Sequence, residues 1–306
     1  MTMNNDLISQ EVSQSFLHRV FVGKQGIRSG WSIGIFFLLM GLFTALFFMP
    51  TKYLLEKYHL PMNELQPLQT CASELAVFLG LLAATMVMAR IEHQPLIFYG
   101  LEGTRRFVRF VYGLFYGVIA LSILVGVLNI SGLLIFDGQQ MFGKTAVIYG
   151  IGWGFGFFLV GLYEEYLMRG YMQVTLARSI GFWWSALVFS LLFGCIHIMN
   201  KGESPVGIIA AVLVGFVFCI SLWYLKTLWW AIGFHASWDW AESYLWGTAD
   251  SGRVAQGHLF AVHPQGNILL NGGATGPEGS LLVIPLLLII AALMWLAWGR
   301  NKNVIE

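Results

Sequence analysis

The sequence predicts an all-α polytopic membrane protein, a bundle of about eight transmembrane helices with an intramembrane polar site. Three observations carry that expectation. The chain is 57% hydrophobic and 11% charged, with a mean hydropathy of +0.70, which is far too apolar for a soluble globular domain. Its apolar residues gather into segments close to the roughly 20 residues that a hydrocarbon core of about 30 Å requires. The few ionisable residues inside those segments fall mostly in one third of the sequence, where each is costly to bury.

The segments lie at about 30–50, 72–90, 109–136, 145–167, 181–199, 205–225, 228–246 and 280–299. The first and last are the cleanest. The third contains Asn129, Ser131 and Gly132 and is expected to break near its end. The fourth contains the small-residue run Gly150 to Gly156, which suits close packing inside the bundle. It is expected to end near GLYEEYLMRG, residues 161–170. The seventh, LWWAIGFHASWDWAESYLWG, is the least apolar. The chain reads as a single membrane domain over 1–306, with residues 247–279 as a Gly-rich extramembrane loop lacking a core of its own. In that loop His258 and His263 read as solvated rather than metal-binding.

Other features bound the partners. A net charge of +1 gives no reason to expect nucleic acid. Cys71, Cys195 and Cys219 form no CxxC pair and read as buried thiols. The first 26 residues hold no short apolar core before a cleavage site, so no removable signal peptide is expected. With the N-terminus inside, the inner side carries Arg19, Lys24, Arg28, Arg90, Arg105, Arg106, Arg109, Arg169, Arg178, Lys226, Arg300 and Lys302. The outer side carries Lys52, Lys57, Lys144, Lys201 and Arg253, so the cationic bias places both termini in the cytoplasm. The expected location is a bacterial inner or plasma membrane, with lipid as the surrounding partner.

The buried ionisable residues sort by spacing. Glu165 and Arg169 are i,i+4 with the acid first, the favourable order for a helical ion pair. Glu164 points about 100° away around the helix and is left free to face something else. His235 and Asp239 share one face of the seventh segment, and His197 ends the fifth. If Glu164, His197, His235 and Asp239 converge, they form a cup of two imidazoles and two carboxylates. The cup could hold a divalent metal such as zinc through its His and carboxylate groups, leaving a place for water. It could equally work without metal, with Glu164 as general base. Taken singly, each group has a bland explanation, such as a histidine that hydrogen-bonds across helices. Glu242, near the helix end, is expected to snorkel to water, and Glu203 and Lys201 read as solvated.

Three motifs, each on its own apolar segment, resemble those of one family. They are EEYLMR from Glu164 to Arg169, FGCIH from Phe193 to His197, and HASWD from His235 to Asp239. Over residues 145–246 the chain is similar to the CAAX-protease and bacteriocin-processing, or Abi, family of intramembrane endopeptidases. The resemblance implies about eight membrane helices, a site opening toward the cytoplasm, and hydrolysis of a peptide bond in a membrane-associated protein or peptide. It implies that Glu164 and His197 activate water, that His235 and Asp239 complete the site as metal ligands or oxyanion stabilisers, and that Glu165, Arg169 and Phe193 support them. Asp239 stands where Asn is also found. An ionised Asp cannot donate to an oxyanion, which favours a metal-ligand or His-orienting role. The competing classes are a non-catalytic scaffold or immunity protein, and a proton-coupled transporter.

Overall fold

The computed structural model describes residues 20–23, 26–60 and 66–299. The N-terminal stretch considered for a signal peptide lies largely outside them, as do Arg19, Lys24, Arg300 and Lys302.

Every predicted apolar segment is helical. The helices are α1 (Ser29–Lys57), α2 (Pro67–Ile91), α3 (Arg106–Ile130), α4 (Gly143–Glu165), α5 (Gln173–Ile180), α6 (Phe182–His197), α7 (Pro205–Leu225), α8 (Trp229–Trp240) and α9 (Val283–Met294). Among the described residues, five helical runs are long and apolar enough to cross a membrane, and α6 and the run Val283–Gly299 are shorter apolar helices. The fold is all-α and polytopic. Pro67 and Pro205 start α2 and α7, where the missing N–H costs nothing. Ser204 caps α7 by accepting a hydrogen bond from the Gly207 amide. The short strands β1 (Val22–Gly23) and β2 (Gly26–Ile27) precede α1; the third predicted segment stops at Ile130, and strand β3 (Leu134–Gln139) follows it.

One boundary differs from expectation. α4 does not end at the paired glutamates. It passes through a wide π-helical turn, Tyr166–Met172, and continues as α5, giving one run of 38 residues. α8 likewise opens into a π-helical turn, Ala241–Leu245. In the α4–α5 run the polar residues lower the hydropathy without breaking the helix, because Glu165 and Arg169 are paired internally. Such turns recur at functional sites, since they re-aim side chains.

The helices alternate in direction, so the bundle has two faces. On the terminal face, the start of α1, the end of α2 and the end of α5 meet: Ser29 bonds to Thr175 and Ser179, and Arg178 pairs with Glu92 at 2.9 Å. The turn between α7 and α8 closes the same face, where the Leu228 amide donates to the Gly100 carbonyl. The opposite, loop face carries β3, the α6–α7 turn and residues 246–282. Those last residues are not a loose loop. β6 (Phe260–Pro264) pairs antiparallel with β3, and β4 (Ala249–Asp250) with β5 (Arg253–Val254). Ala255, Asn271 and Thr275 are buried there. The Gly150–Gly156 run packs inside the bundle, facing Tyr244, Pro67, Trp240 and Thr70. The cysteines are free, but only Cys219 is buried, and Cys195 is exposed on the outer side of α6.

α8 is the central helix. It packs on α3 and α4, and glycines let the backbones approach. A Cβ on Gly233 would sit 3.0 Å from the Leu114 amide nitrogen and closer still to the Phe110 carbonyl. Gly233→Val is therefore expected to destabilise the protein in detergent by about 1–3 kcal/mol or more. Gly126→Val, at a position with nothing within 4 Å of a Cβ, should leave thermal unfolding nearly unchanged.

Candidate active site

The site lies where α4, α6 and α8 meet. The Glu165–Arg169 pair expected from spacing is present, with Nη1 2.9 Å from Oε1 and both side chains 0% exposed. The π-helical turn carries Arg169 into the bundle, where its guanidinium lies 4.4 Å from the Phe193 ring centre and 5.6 Å from that of Phe218. The two rings attract the charge of the guanidinium, whose Nε and Nη2 have no hydrogen-bond partner. Gly215 leaves room for this guanidinium, because a Cβ there would run into Nη2.

The pair also holds a histidine. Nδ1 of His235 donates to Glu165 Oε1 at 3.0 Å, so this oxygen binds two donors while Oε2 binds none. The His235 ring stacks on Phe218 and meets Phe193 edge-on. With Nδ1 committed, Nε2 faces Glu164 Oε2 at 3.7 Å and Asp239 Oδ2 at 3.5 Å. A bare nitrogen lone pair between two carboxylates would be repelled, so the arrangement calls for a positive charge there, either a proton on Nε2 or a metal ion. Glu164, His235 and Asp239 thus fit a divalent ion in donor chemistry. Among the described residues, however, the set of three whose ligand atoms all lie within 4.8 Å of one another is a different one, Glu242, Asp250 and Glu278.

His197 joins from α6. Its Nδ1 lies 2.7 Å from the Phe193 carbonyl, which can only accept, so the proton sits on Nδ1 and Nε2 is left as an acceptor. Glu164, His197, His235 and Asp239 all line one cavity of about 210 Å³. Glu164 is the more open of the two acids in the cup, its side chain 29% exposed against 9% for Asp239.

Several cavity residues were not picked out from the sequence. Glu74 and Gln69 come from α2, and Asp250, Arg253 and Glu278 from the folded segment on the loop face. Glu74 had a signal, a lone acid inside a predicted span. Gln69 is 3% exposed and neither amide atom has a partner. Glu242 does not snorkel: it is 0% exposed with both oxygens unpartnered, because residues 246–282 cover its helix end. Glu203 is half-buried, and its carboxyl accepts from the Ser204 amide. Burial, then the neighbouring Glu278, pushes the Asp250 carboxyl up to about 7. His258 and His263 do not form a pair: His258 faces the Ala255 carbonyl and His263 binds Asp137 at 2.8 Å.

The cavity is walled by loop-face residues, including Asn200, Asp250, Ser251 and Arg253. The site and the ends of the described chain therefore lie on opposite sides of the bundle, so cytoplasmic termini and a cytoplasmic opening cannot both hold. The His197 side chain, at the loop-face end of α6, falls in line with this placement.

Residues 146–241 match the family of type II CAAX prenyl endopeptidases, Rce1-like. The match spans all three motifs and is consistent with the CAAX-protease and bacteriocin-processing family that they resemble. It supports a CAAX-type intramembrane endopeptidase. No curated protein matches the chain.

Proposed function

We propose that the chain is an intramembrane endopeptidase in which Glu164 and His197 activate a water that attacks a peptide carbonyl. The observation that carries this reading is the shared cavity, where a partly open carboxylate and an imidazole with a free Nε2 face the same space. Glu164 takes the proton of the attacking water, and the oxygen adds to the carbonyl. The proton is then delivered to the departing amine, so that one peptide bond and one water become a carboxylate and an amine. His197 Nε2 holds the water by accepting its second hydrogen. The developing oxyanion needs donors aimed at it. An ionised Asp239 cannot donate, whereas Gln69 Nε2, unpartnered and lining the same cavity, can.

A divalent metal remains the second reading, favoured by His235 Nε2 standing between two carboxylate oxygens. Glu164, His235 and Asp239, with His197, would hold it, and it would supply Lewis-acid polarisation of the water or carbonyl. The cationic bias of Arg28, Arg90, Arg105, Arg106, Arg109, Arg178 and Lys226 over the loop-face cations supports a cytoplasmic terminal face. The cavity then takes substrate from the opposite side. Burial of Arg169 against Glu165 removes that residue from the count.

The test is a comparison of protein termini in membranes from cells expressing the wild type or Glu164→Ala at equal levels. New termini confined to the wild type, in segments exposed on the non-cytoplasmic side, are the expected result. Equal termini with both proteins folded and abundant would favour the non-catalytic reading. In the same membranes, exhaustive metal chelation should abolish the new termini if the second reading is right and leave them if Glu164 acts alone.

A further inference from the structure

Outside the predicted cup, Glu242, Asp250 and Glu278 each offer one carboxylate oxygen, all within 4.8 Å of one another. That spacing is within the reach of two calcium–oxygen bonds of about 2.4 Å each. They come from three places in the chain: the π-helical turn after α8, strand β4, and the turn Pro277–Gly279.

Acidic residues often gather without binding anything, so a second observation decides. Glu242 is fully buried, and neither of its oxygens has a hydrogen-bond partner. One indole N–H lies near it, but the hydrogen bond of Trp238 Nε1 goes to Glu278 Oε1 at 2.8 Å. None of the ion pairs among the described residues involves Glu242, Asp250 or Glu278. Arg253 attracts Asp250 from across the β4–β5 hairpin but forms no ion pair with it. A buried carboxylate left without donor or counter-charge is among the costliest groups a fold can hold. The space beside it is open because residue 276 is glycine (φ +100): a Cβ there would lie 3.2 Å from Glu242 Oε1 and against the Ala249 carbonyl. Two more oxygens stand close by, the Ser243 hydroxyl on Asp250 and the Ser251 hydroxyl on Glu278.

We propose that Glu242, Asp250 and Glu278 bind a hard divalent cation of the calcium class, which fastens the folded segment of the loop face to the end of α8. Oxygen-only donors select against zinc, which prefers nitrogen and sulfur, and a site assembled from three separate elements suits calcium's flexible coordination better than magnesium's strict octahedron. Asp250 and Glu278 also line the large cavity, so the ion sets one wall of the space that substrate would enter. The site stands independently of the peptidase reading.

The test uses the purified full-length protein in detergent, freed of metal with chelator and titrated with Ca²⁺ at constant ionic strength. Binding is read by calorimetry and by the thermal unfolding midpoint, with Mg²⁺ and Zn²⁺ as competitors. The wild type should bind saturably and gain thermal stability, with Ca²⁺ preferred. Glu242→Gln and Asp250→Asn should bind roughly tenfold more weakly or worse. In chelator, Glu242→Gln should unfold at a higher temperature than the wild type, because it replaces a buried carboxyl crowded by Asp250 and Glu278 with a neutral amide. Glu164→Gln should bind Ca²⁺ as the wild type does, which separates this site from the predicted cup. Absence of saturable binding, or binding undiminished in both Glu242→Gln and Asp250→Asn, would overturn the proposal.

Discussion

The structure depends on one buried carboxylate serving two donors. Glu165 Oε1 binds Arg169 at 2.9 Å and His235 Nδ1 at 3.0 Å in a fully buried setting. An unpaired charge in that position would cost several kcal/mol, so the pair and the histidine stand or fall together. The π-helical turn brings Arg169 inward to meet Glu165, and Phe193 and Phe218 close over its other face. With Nδ1 held, the imidazole presents Nε2 to Glu164 and Asp239. The ion pair is thus the frame, and Glu164, one residue along, is turned out of it toward the cavity.

Much of this was legible in the sequence. Hydropathy found every long span, because a bilayer imposes a length and leaves backbone polar groups no alternative to a helix. The i,i+4 spacing gave the Glu165–Arg169 pair and the shared face of His235 and Asp239, since helical geometry turns spacing directly into direction. The three motifs located the cup because each polar residue stood alone in an apolar run.

What was not legible depended on contacts distant in sequence. The π-helical turns leave no mark on hydropathy, so α4 was expected to end where it only widens. Residues 247–279 are Gly-rich and polar, which reads as loop, yet β6 finds its partner in β3 more than a hundred residues earlier. Glu242 was expected at a wet helix end, and the same folded segment closes over it. Glu74 escaped because it stands without a spaced partner on α2, its neighbours in the cavity being supplied by α4 and by the loop face.

The account's central claim is that the buried pair positions His235, and a double substitution tests it most directly. Arg169→Met alone should destabilise the protein by about 3–5 kcal/mol, since it strands Glu165. Adding Glu165→Met should restore most of that stability, because an apolar pair of similar volume then fills the space. Cleavage of a substrate found by its new terminus should nevertheless stay roughly tenfold or more below the wild-type rate, because His235 Nδ1 has lost its acceptor. A stable double variant that cleaves as fast as the wild type would contradict the account.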